Sequence, residues 1–262
     1  MGERRVQLIK AGTLVELVLT AALVILVWVF ISWAKRGKRF YIRKLPAIDA
    51  IEDAVGRCAE MGRPVHFCTG QRNYISSVEA PQTVAALACL GHTAKSCAKH
   101  DVPLMVVVSK AESLPLHIAM LREIYETQGK PFDIGMIHYF SEYYKSFLMN
   151  YIGDVKKFKP GAVMLIGPTV FEYAMIPDVA RSVDAMSIGG SSLGDYYVYS
   201  PMYDHALVAE ELFAASAYLT REPVQIASIQ AEDVYKVLAM GIAVVGTLLL
   251  IAGINIVPML GM

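Results

Sequence analysis

An apolar run over residues 13–34, TLVELVLTAALVILVWVFISWA, constrains the fold of this chain most, because its one charge is Glu16. Its 22 residues form a helix of about 33 Å, long enough to cross a hydrocarbon core of about 30 Å. Glu16 is near enough to the helix start to reach the headgroup region, and Trp33 falls where an aromatic residue anchors the other end. The basic segment KRGKRFYIRK follows in place of a small-residue cleavage site, which disfavours a signal peptide. We therefore predict a transmembrane helix.

A second apolar run covers residues 237–260 without a charge and predicts a second span. Two spans place the segment between them on one face of the membrane and both termini on the other. Segments rich in Lys and Arg beside a span remain cytoplasmic, so the cation balance predicts a cytoplasmic central segment. The cations after the first span are Lys35, Arg36, Lys38, Arg39, Arg43 and Lys44, and those before it are Arg4, Arg5 and Lys10.

The two runs divide the chain into five predicted segments. They are an N-terminal tail (1–12), a transmembrane helix (13–34), a basic juxtamembrane linker (35–45), a cytoplasmic α/β domain (46–230) and a helix that continues into the second span (231–262). This organisation predicts a protein of the cell membrane. The central segment of roughly 200 residues is long enough to bury a substantial core as one domain.

Charge and cysteine usage limit the classes of partner. Lys plus Arg and Asp plus Glu both total 24, and this formal neutrality argues against a nucleic-acid partner. The linker cations suit anionic lipid headgroups, although such a patch also serves as a topology signal alone. Four cysteines without a CxxC pair indicate buried thiols in a reducing compartment. Cys89, His92 and Cys97 approach metal-ligand spacing, but a helix turns Cys97 away from the other two, so we predict no metal and no cofactor.

Short apolar runs alternate with amphipathic stretches between the spans, which is typical of a mostly parallel sheet layered between helices. We predict a Rossmann-like α/β domain flanked by two transmembrane helices. The predicted strands are VHFC, PLMVVVS, IGMIHYF, AVMLIG and MSIGGSS; the predicted helices are AIDAIEDAVGRCAEM, residues 81–100, a helix capped by Ser113, SEYYKSFLMNYIGDVKKF and a Pro177-containing helix. Further along we expect DYYVYSP to be extended, a helix over about 204–219, PVQIASIQ to be extended, and an unbroken helix from Ala231 into the second span.

Three stretches resemble an uncharacterised prokaryotic two-span membrane-protein family that is classified only as a domain of unknown function. They are AIDAIEDAVGRCAEMGRPVHF, AVMLIGPTVFEYAMIPDVARSVDAMSIGGSS and EELFAASAYLTREPVQIASIQAEDVYK. The resemblance covers about residues 45–255. It implies two spans around one α/β domain, and it implies no particular activity.

Ligands of open parallel sheets bind beyond the carboxyl ends of the strands, so the residues that follow the predicted strands form the candidate ligand site. Small and hydroxyl residues there suit a phosphate or carboxylate held by backbone N–H groups, or they serve only as tight turns and helix caps. The sequence contains no GxGxxG and no GxxxxGK[ST] motif. The candidates are Thr69, Gly70, Ser109, Gly167, Thr169, Gly189, Gly190, Ser191 and Ser192, with Lys110, Ser228 and Gln230 beside them.

Catalytic patterns are missing from the sequence, which has no GxSxG elbow and no HExxH helix. Asp204 and His205 are adjacent, and on the predicted helix their side chains diverge by about 100° and cannot pair. We interpret His66, His117 and His138 as hydrogen-bonded imidazoles of the core. We therefore predict no catalytic residue.

Two functions from different classes remain. Fourteen tyrosines, many in HYFSEYYKSFLMNY and GDYYVYSPMY, suit either core packing or subunit contacts. The tyrosines, together with the two membrane anchors and the missing catalytic motifs, favour a membrane-anchored scaffold that forms a homo-oligomer or docks a membrane complex. The alternative is a domain that binds a small anionic ligand, or a hydrolase, with its site at the carboxyl ends of the strands.

Overall fold

The computed structural model of this protein describes residues 13–38, 40, 44–169, 172–194 and 196–252. They divide into two compact units, one between Arg43 and Thr220 and the other made of the residues up to Ile42 with those from Arg221 onward. In chain order the elements are α1 (Thr13–Lys35), α2 (Pro46–Met61), β1 (Val65–Cys68), α3 (Ala80–His100), β2 (Leu104–Val108), α4 (Leu114–Thr127), β3 (Ile137–Tyr139), α5 (Tyr144–Phe158), β4 (Ala162–Ile166), α6 (Glu172–Ser182), β5 (Met186–Ser191), α7 (Tyr196–Tyr199), β6 (His205–Val208), α8 (Glu211–Thr220) and α9 (Pro223–Ile251).

The central unit is built on a six-stranded sheet in the order β3-β2-β1-β4-β5-β6, in which every neighbouring pair is parallel. Val65 of β1 pairs with Leu104 of β2 on one side and Ala162 of β4 on the other. This is the strand order of Rossmann domains, in which the order reverses between β1 and β4. The predicted Rossmann-like α/β fold is confirmed.

Helices cover both faces of the sheet, which is why the inner strands β2 and β4 are apolar throughout. Phe67, Val106 and Met164 point into a core formed with α2, α3, α4 and α8. The alternate residues Cys68, Val107 and Leu165 point into a second core formed with α5 and α6. All residues of β2 and β4 are buried. The period-2 alternation of each strand therefore supplies two cores at once.

Several predicted helix boundaries agree with the structure. α2 starts at Pro46 and ends at Met61, and the predicted stop residue Gly62 caps it with a φ of 64°, the left-handed conformation that glycine adopts readily. Pro177 lies inside α6. Ser113 occupies the cap position of α4, but the prediction that its side chain caps the helix is wrong, because its Oγ donates to the carbonyl of Lys110 at 3.0 Å.

The last part of the central unit differs from the predictions. DYYVYSP was expected to be extended, yet α7 and a 3₁₀ turn over residues 200–202 occupy it. A helix was expected over about residues 204–219, but it begins only at Glu211 as α8. The residues before it form β6, so His205 lies in a strand that pairs with β5. PVQIASIQ was also expected to be extended, but it is the first part of α9. Pro223 at the first helical position pre-sets the φ angle for that helix start.

In its described residues the second unit contains the helices α1 and α9, which pack against each other and are long and apolar enough to cross a membrane. Large apolar side chains cover their outer surfaces; Trp28, for example, is 69% exposed. Hydroxyl groups in both helices donate to the carbonyl four residues earlier, Ser32 to Trp28 and Thr247 to Ala243. Both hydroxyl groups therefore have a hydrogen-bond partner within their own helix, as an apolar surrounding requires.

A cation and an aromatic cluster mark the end of α1. Gly37 adopts a φ of 90°, and the backbone N–H of Lys38 returns to the carbonyl of Trp33 at 3.1 Å. The ammonium of Lys38 lies 4.2 Å from the ring centroid of Trp33, and Phe30 stacks on Phe40 with centroids 5.4 Å apart. Aromatic rings beside a lysine are typical of a helix end at a membrane interface, where an aromatic anchor was expected.

Candidate functional site at the carboxyl ends of the strands

The structure brings most of the predicted ligand-site residues to one edge of the sheet. Thr69 and Gly70 follow β1, Ser109 follows β2, and Gly167 and Thr169 follow β4, so all lie at the carboxyl edge. Ser192 follows β5 at the same edge. Ser228 and Gln230 lie in α9, in the other unit, and are not part of this edge.

Gly189, Gly190 and Ser191 lie within β5, so the prediction that they follow the strand is wrong. A Cβ on Gly189 would come within 2.5 Å of the Tyr196 hydroxyl, which shows that this glycine makes room for a core tyrosine. A Cβ on Gly190 would meet Ile166 at 3.1 Å. These two glycines therefore serve strand and ring packing.

The crevice between the loops after β1 and β4, where Rossmann domains bind their ligand, is closed by the chain itself. Gly70 and Gly167 have φ angles of 92° and 137°. A Cβ on Gly70 would overlap the backbone of Pro168, and one on Gly167 would overlap the carbonyl of Thr69. The N–H of Arg72 donates to the carbonyl of Pro168 at 2.9 Å. The two loops therefore touch backbone to backbone at the point of reversal.

A hydrogen-bonded chain behind this contact joins the loop after β1 to α4. Nδ1 of His117 lies 2.7 Å from the carbonyl of Ser113, and its Nε2 lies 2.9 Å from Oγ1 of Thr69. A carbonyl only accepts, so Nδ1 carries the proton and Nε2 accepts from the threonine hydroxyl. Burial lowers the pKa of His117, which favours this neutral form.

Asn73 extends the chain to the loop after β2. Its Nδ2 donates to Oγ1 of Thr69 at 3.0 Å, and its Oδ1 accepts from the backbone N–H of Lys110 at 3.1 Å. Thr69, Asn73 and His117 all have no exposed surface. This network fixes the two loops against each other from the inside.

Lys110 places a buried ammonium at the same edge. The residue is 3% exposed, its Nζ donates to the carbonyl of Glu142 at 3.2 Å, and the ring centroid of Tyr74 lies 4.5 Å away. Gln71 donates to the same carbonyl at 2.9 Å, which ties in the loop after β3. Within the described part of the chain, no carboxylate oxygen lies within 4 Å of Nζ. The ammonium is balanced by a carbonyl dipole and a ring face.

The β5 side of the edge is held by Gln82. Its Oε1 lies 3.5 Å from Oγ of Ser191 and 3.4 Å from the N–H of Ser192, while Oγ1 of Thr169 donates to the carbonyl of Gly167 at 3.4 Å. These bonds are long, so they restrain the loop less than the network around Thr69.

Chemically, Thr69, His117 and the Ser113 carbonyl reproduce the order of nucleophile, base and orienting group. Two features oppose catalysis: both side chains are fully buried, and the threonine oxygen already accepts from Asn73. The arrangement acts as an internal brace, in agreement with the interpretation of His117 as a hydrogen-bonded core imidazole. The sequence shows Ser113 and His117 one helical turn apart, but the partner Thr69 lies 48 residues away and could not be inferred.

A second polar cluster lies in the other core. Oδ2 of Asp154 is 2.6 Å from Nδ1 of His138 and 3.4 Å from Nε2 of His66, and the His66 ring meets Tyr151 edge-on. The predicted hydrogen bond is confirmed for His138, but its side chain is 22% exposed and lies at the margin of the core. Within the described residues, the two ring nitrogens of His66 have no hydrogen-bond partner. The same holds for the Tyr151 hydroxyl.

Burial lowers the pKa of His66. Burial also acts to raise the pKa of Asp154, but the two neighbouring imidazoles outweigh it and lower that pKa. Over the described ranges, no three His, Cys, Asp or Glu side chains converge in a way that holds a metal ion.

Comparison with known families places these features in a wider group. A family model described as a domain of unknown function, DUF6754, matches residues 4–260. The chain belongs to the DUF6754 family. No curated protein and no solved structure matches the sequence. The DUF6754 match spans both membrane-length helices and the α/β unit, so the two units belong to one family domain.

Proposed function

We propose that this DUF6754 protein is a scaffold of a prokaryotic cell membrane: two spans anchor a cytoplasmic α/β domain that self-associates or docks a membrane complex. The observation that carries the proposal is the closed crevice at the point of strand reversal, where the N–H of Arg72 bonds to Pro168. A Rossmann-like sheet whose ligand crevice is occupied by its own loops suits a rigid platform better than a ligand-binding domain.

The orientation follows from charge. Six cations follow the first apolar run and three precede it, which favours a cytoplasmic central domain and termini on the opposite side. The six cations also suit contact with anionic lipid headgroups. The membrane therefore acts as a partner as well as an anchor.

Large exposed side chains support association. Tyr143 is 65% exposed and Val198 is 73% exposed, and Tyr139 and Tyr197 are also exposed. Other tyrosines of the two aromatic-rich stretches are core residues, namely Tyr151, Tyr196 and Tyr203. The association argument therefore rests on the exposed rings of Tyr139 at the end of β3, Tyr143 before α5 and Tyr197 on α7. Confinement of copies to one membrane plane raises their effective concentration and helps weak contacts to hold.

The test is the mass of the full chain in mild detergents and in nanodiscs. We expect a multiple of the 28.8 kDa chain. Tyr143→Glu together with Tyr197→Glu should lower that mass, because charge and lost ring area both weaken a contact. Glu60→Lys on the exposed face of α2 is the control and should leave the mass unchanged. A monomer under every condition, with no co-purifying membrane complex, overturns the proposal.

Lys110 supports a second candidate function. A buried ammonium with one carbonyl acceptor is suited to receiving an anion if the loops part, which would make the edge a site for a small carboxylate or phosphate. Thermal stabilisation by phosphate, acetate or malonate that is abolished in Lys110→Met would favour this function. Equal responses of wild type and Lys110→Met would eliminate it.

A further inference from the structure

A row of residues on α3 forms the floor of a groove. Leu87, Gly91, Lys95 and Lys99 recur every four residues, so the row winds by about 120° around the helix, from the buried Leu87 and Gly91 to the exposed Lys95 and Lys99. From Leu87 to Lys99 the row is about 18 Å long. α4 lies along one side of it, and the end of α8 lies beside its first part.

The first half of this groove is mostly apolar, with one acid, Glu123 of α4, in its lining. A cavity of about 470 Å³ lies between α3, α4 and α8, with Leu87, Met120, Ile124 and Leu219 among its lining residues. Gly91 has no side chain to fill it, and a Cβ there would be 3.6 Å from Ile124. The groove depth therefore depends on this glycine.

The second half is cationic. A cleft of about 230 Å³ continues from the first cavity through His92, Lys95 and Gln128, and it is lined further by Lys99 and His100. The acid that lines this cleft, Glu52, lies 3.6 Å from Nε2 of His92. Lys95 and Lys99 remain exposed and are placed to meet negative charge.

The occupant must combine an apolar stripe with acidic groups at one end. A groove of about 18 Å that runs along a helix matches about three turns of a second helix, whereas small-molecule sites enclose most of their ligand. We propose that this groove binds an acidic amphipathic helix of a partner protein, with its apolar side chains over Leu87 and Gly91 and its carboxylates against Lys95 and Lys99. The inference rests on the docking part of the proposed function and names the kind of partner that would dock.

The test uses the full chain in nanodiscs and a display library of 15-residue peptides in which each position is Ala, Leu, Glu, Lys or Gln. Selected peptides should carry Leu at helical spacing followed by Glu on the same face. Gly91→Leu and the pair Lys95→Glu with Lys99→Glu should each weaken their binding at least about tenfold. Added salt should weaken it further.

Matched controls are Gly56→Leu, at a helical glycine with nothing near its Cβ position, and Lys156→Glu on α5. Both should bind selected peptides as the wild type does. Peptides without acidic enrichment, or peptides insensitive to the groove variants, overturn the inference. Saturable binding of decanoate with no selected peptide also overturns it, in favour of a small amphiphile. The assay is independent of chain mass, so its failure leaves the self-association result standing.

Discussion

Thr69 donates its hydroxyl proton to Nε2 of His117 over 2.9 Å, although the two residues are separated by 48 positions in the sequence. The bond requires a neutral imidazole, because a proton on Nε2 would remove the acceptor. With Asn73 as a second donor to the threonine oxygen, it fixes the loop after β1 to α4. The stability of the carboxyl edge is thereby linked to the protonation of one buried histidine.

Acidification should destabilise the domain through this histidine. Because burial lowers the folded-state pKa of His117, the unfolded chain binds more protons as the pH falls below about 6.5. The free energy of unfolding should therefore fall between pH 7 and the lowered pKa, by at most about 1.4 kcal/mol per pH unit for each such histidine. Burial lowers the pKa of His66 and His92 as well, so they add to the same slope.

The measurement is the melting temperature between pH 8 and pH 5. His117→Gln should reduce the slope while lowering stability at pH 8, since the brace to Thr69 is altered. His100→Gln, at an exposed site, is the control and should retain the wild-type slope. A melting temperature that rises on acidification in this range would contradict the assignment of a neutral His117.

Gly167 should tolerate no side chain. Its φ of 137° and its contact with the Thr69 carbonyl predict that Gly167→Ala lowers the free energy of unfolding by at least about 2 kcal/mol. Gly153→Ala, on α5 with open space at its Cβ position, should instead raise it by about 0.5–1 kcal/mol. Both values come from chemical denaturation. If Gly167→Ala were as stable as the wild type, the loops after β1 and β4 would separate readily. That result would favour the ligand-binding function over the scaffold.

The native thiols should be inert toward maleimide in the folded protein. All four are buried, and burial raises the pKa of Cys58 to about 11 and that of Cys89 to about 12. Maleimide labelling of an added cysteine, Glu126→Cys on the exposed side of α4, can therefore be measured without removing the native cysteines. An impermeant maleimide should label it only after the cells are permeabilised, because the domain is expected in the cytoplasm.

Glu3→Cys serves as the reciprocal control for orientation. It lies in the N-terminal tail, outside the described residues, and should react in intact cells. Labelling of Glu126→Cys in intact cells, with Glu3→Cys protected, would show the opposite topology.

The two tryptophans should report different membrane depths. Trp28 and Trp33 are the whole tryptophan content of the chain, so Trp33→Phe and Trp28→Phe give single-tryptophan proteins. Trp33, with Lys38 over its ring, should be quenched best by lipids brominated near the headgroup, and Trp28 by lipids brominated deeper in the chain. Quenching of neither tryptophan by any brominated lipid would contradict membrane insertion of α1.

The sequence patterns predicted the fold where hydrophobic period and turn chemistry agree. The runs VHFC and AVMLI are short, mostly apolar and followed within two residues by Gly70 and Gly167, and they form β1 and β4. The sequence patterns gave wrong predictions where local composition and tertiary packing disagree. DYYVYSP is rich in strand-forming residues, yet Tyr196 packs into the core beside Gly189, and residues 196–199 form α7. β6 has only four residues, too few to show a period, and its pairing with β5 determines its structure.

The sequence predicts where the candidate site lies, but not whether its crevice is open or closed. Parallel strands place their carboxyl ends together, so Thr69, Ser109 and Gly167 could be assigned to one edge from their order alone. Whether that edge is open depends on backbone contacts such as that between Arg72 and Pro168, which lie 96 residues apart. Such contacts have no signature in one sequence, because they arise from the φ angles of two distant glycines.

The strand order also determines how this chain must be made. Val65 of β1 gains Leu104 as a neighbour early, but its other neighbour, Ala162, is synthesised 97 residues later. At the pace of a ribosome this delay is about 5–20 s. During that time the central strand of the finished sheet is an edge strand, with unpaired N–H and C=O groups and an apolar sequence, while α1 has already emerged. Biogenesis therefore includes an interval in which this edge is open to aggregation, and a slower or interrupted translation between β3 and β4 should reduce the yield of the protein more than a pause elsewhere.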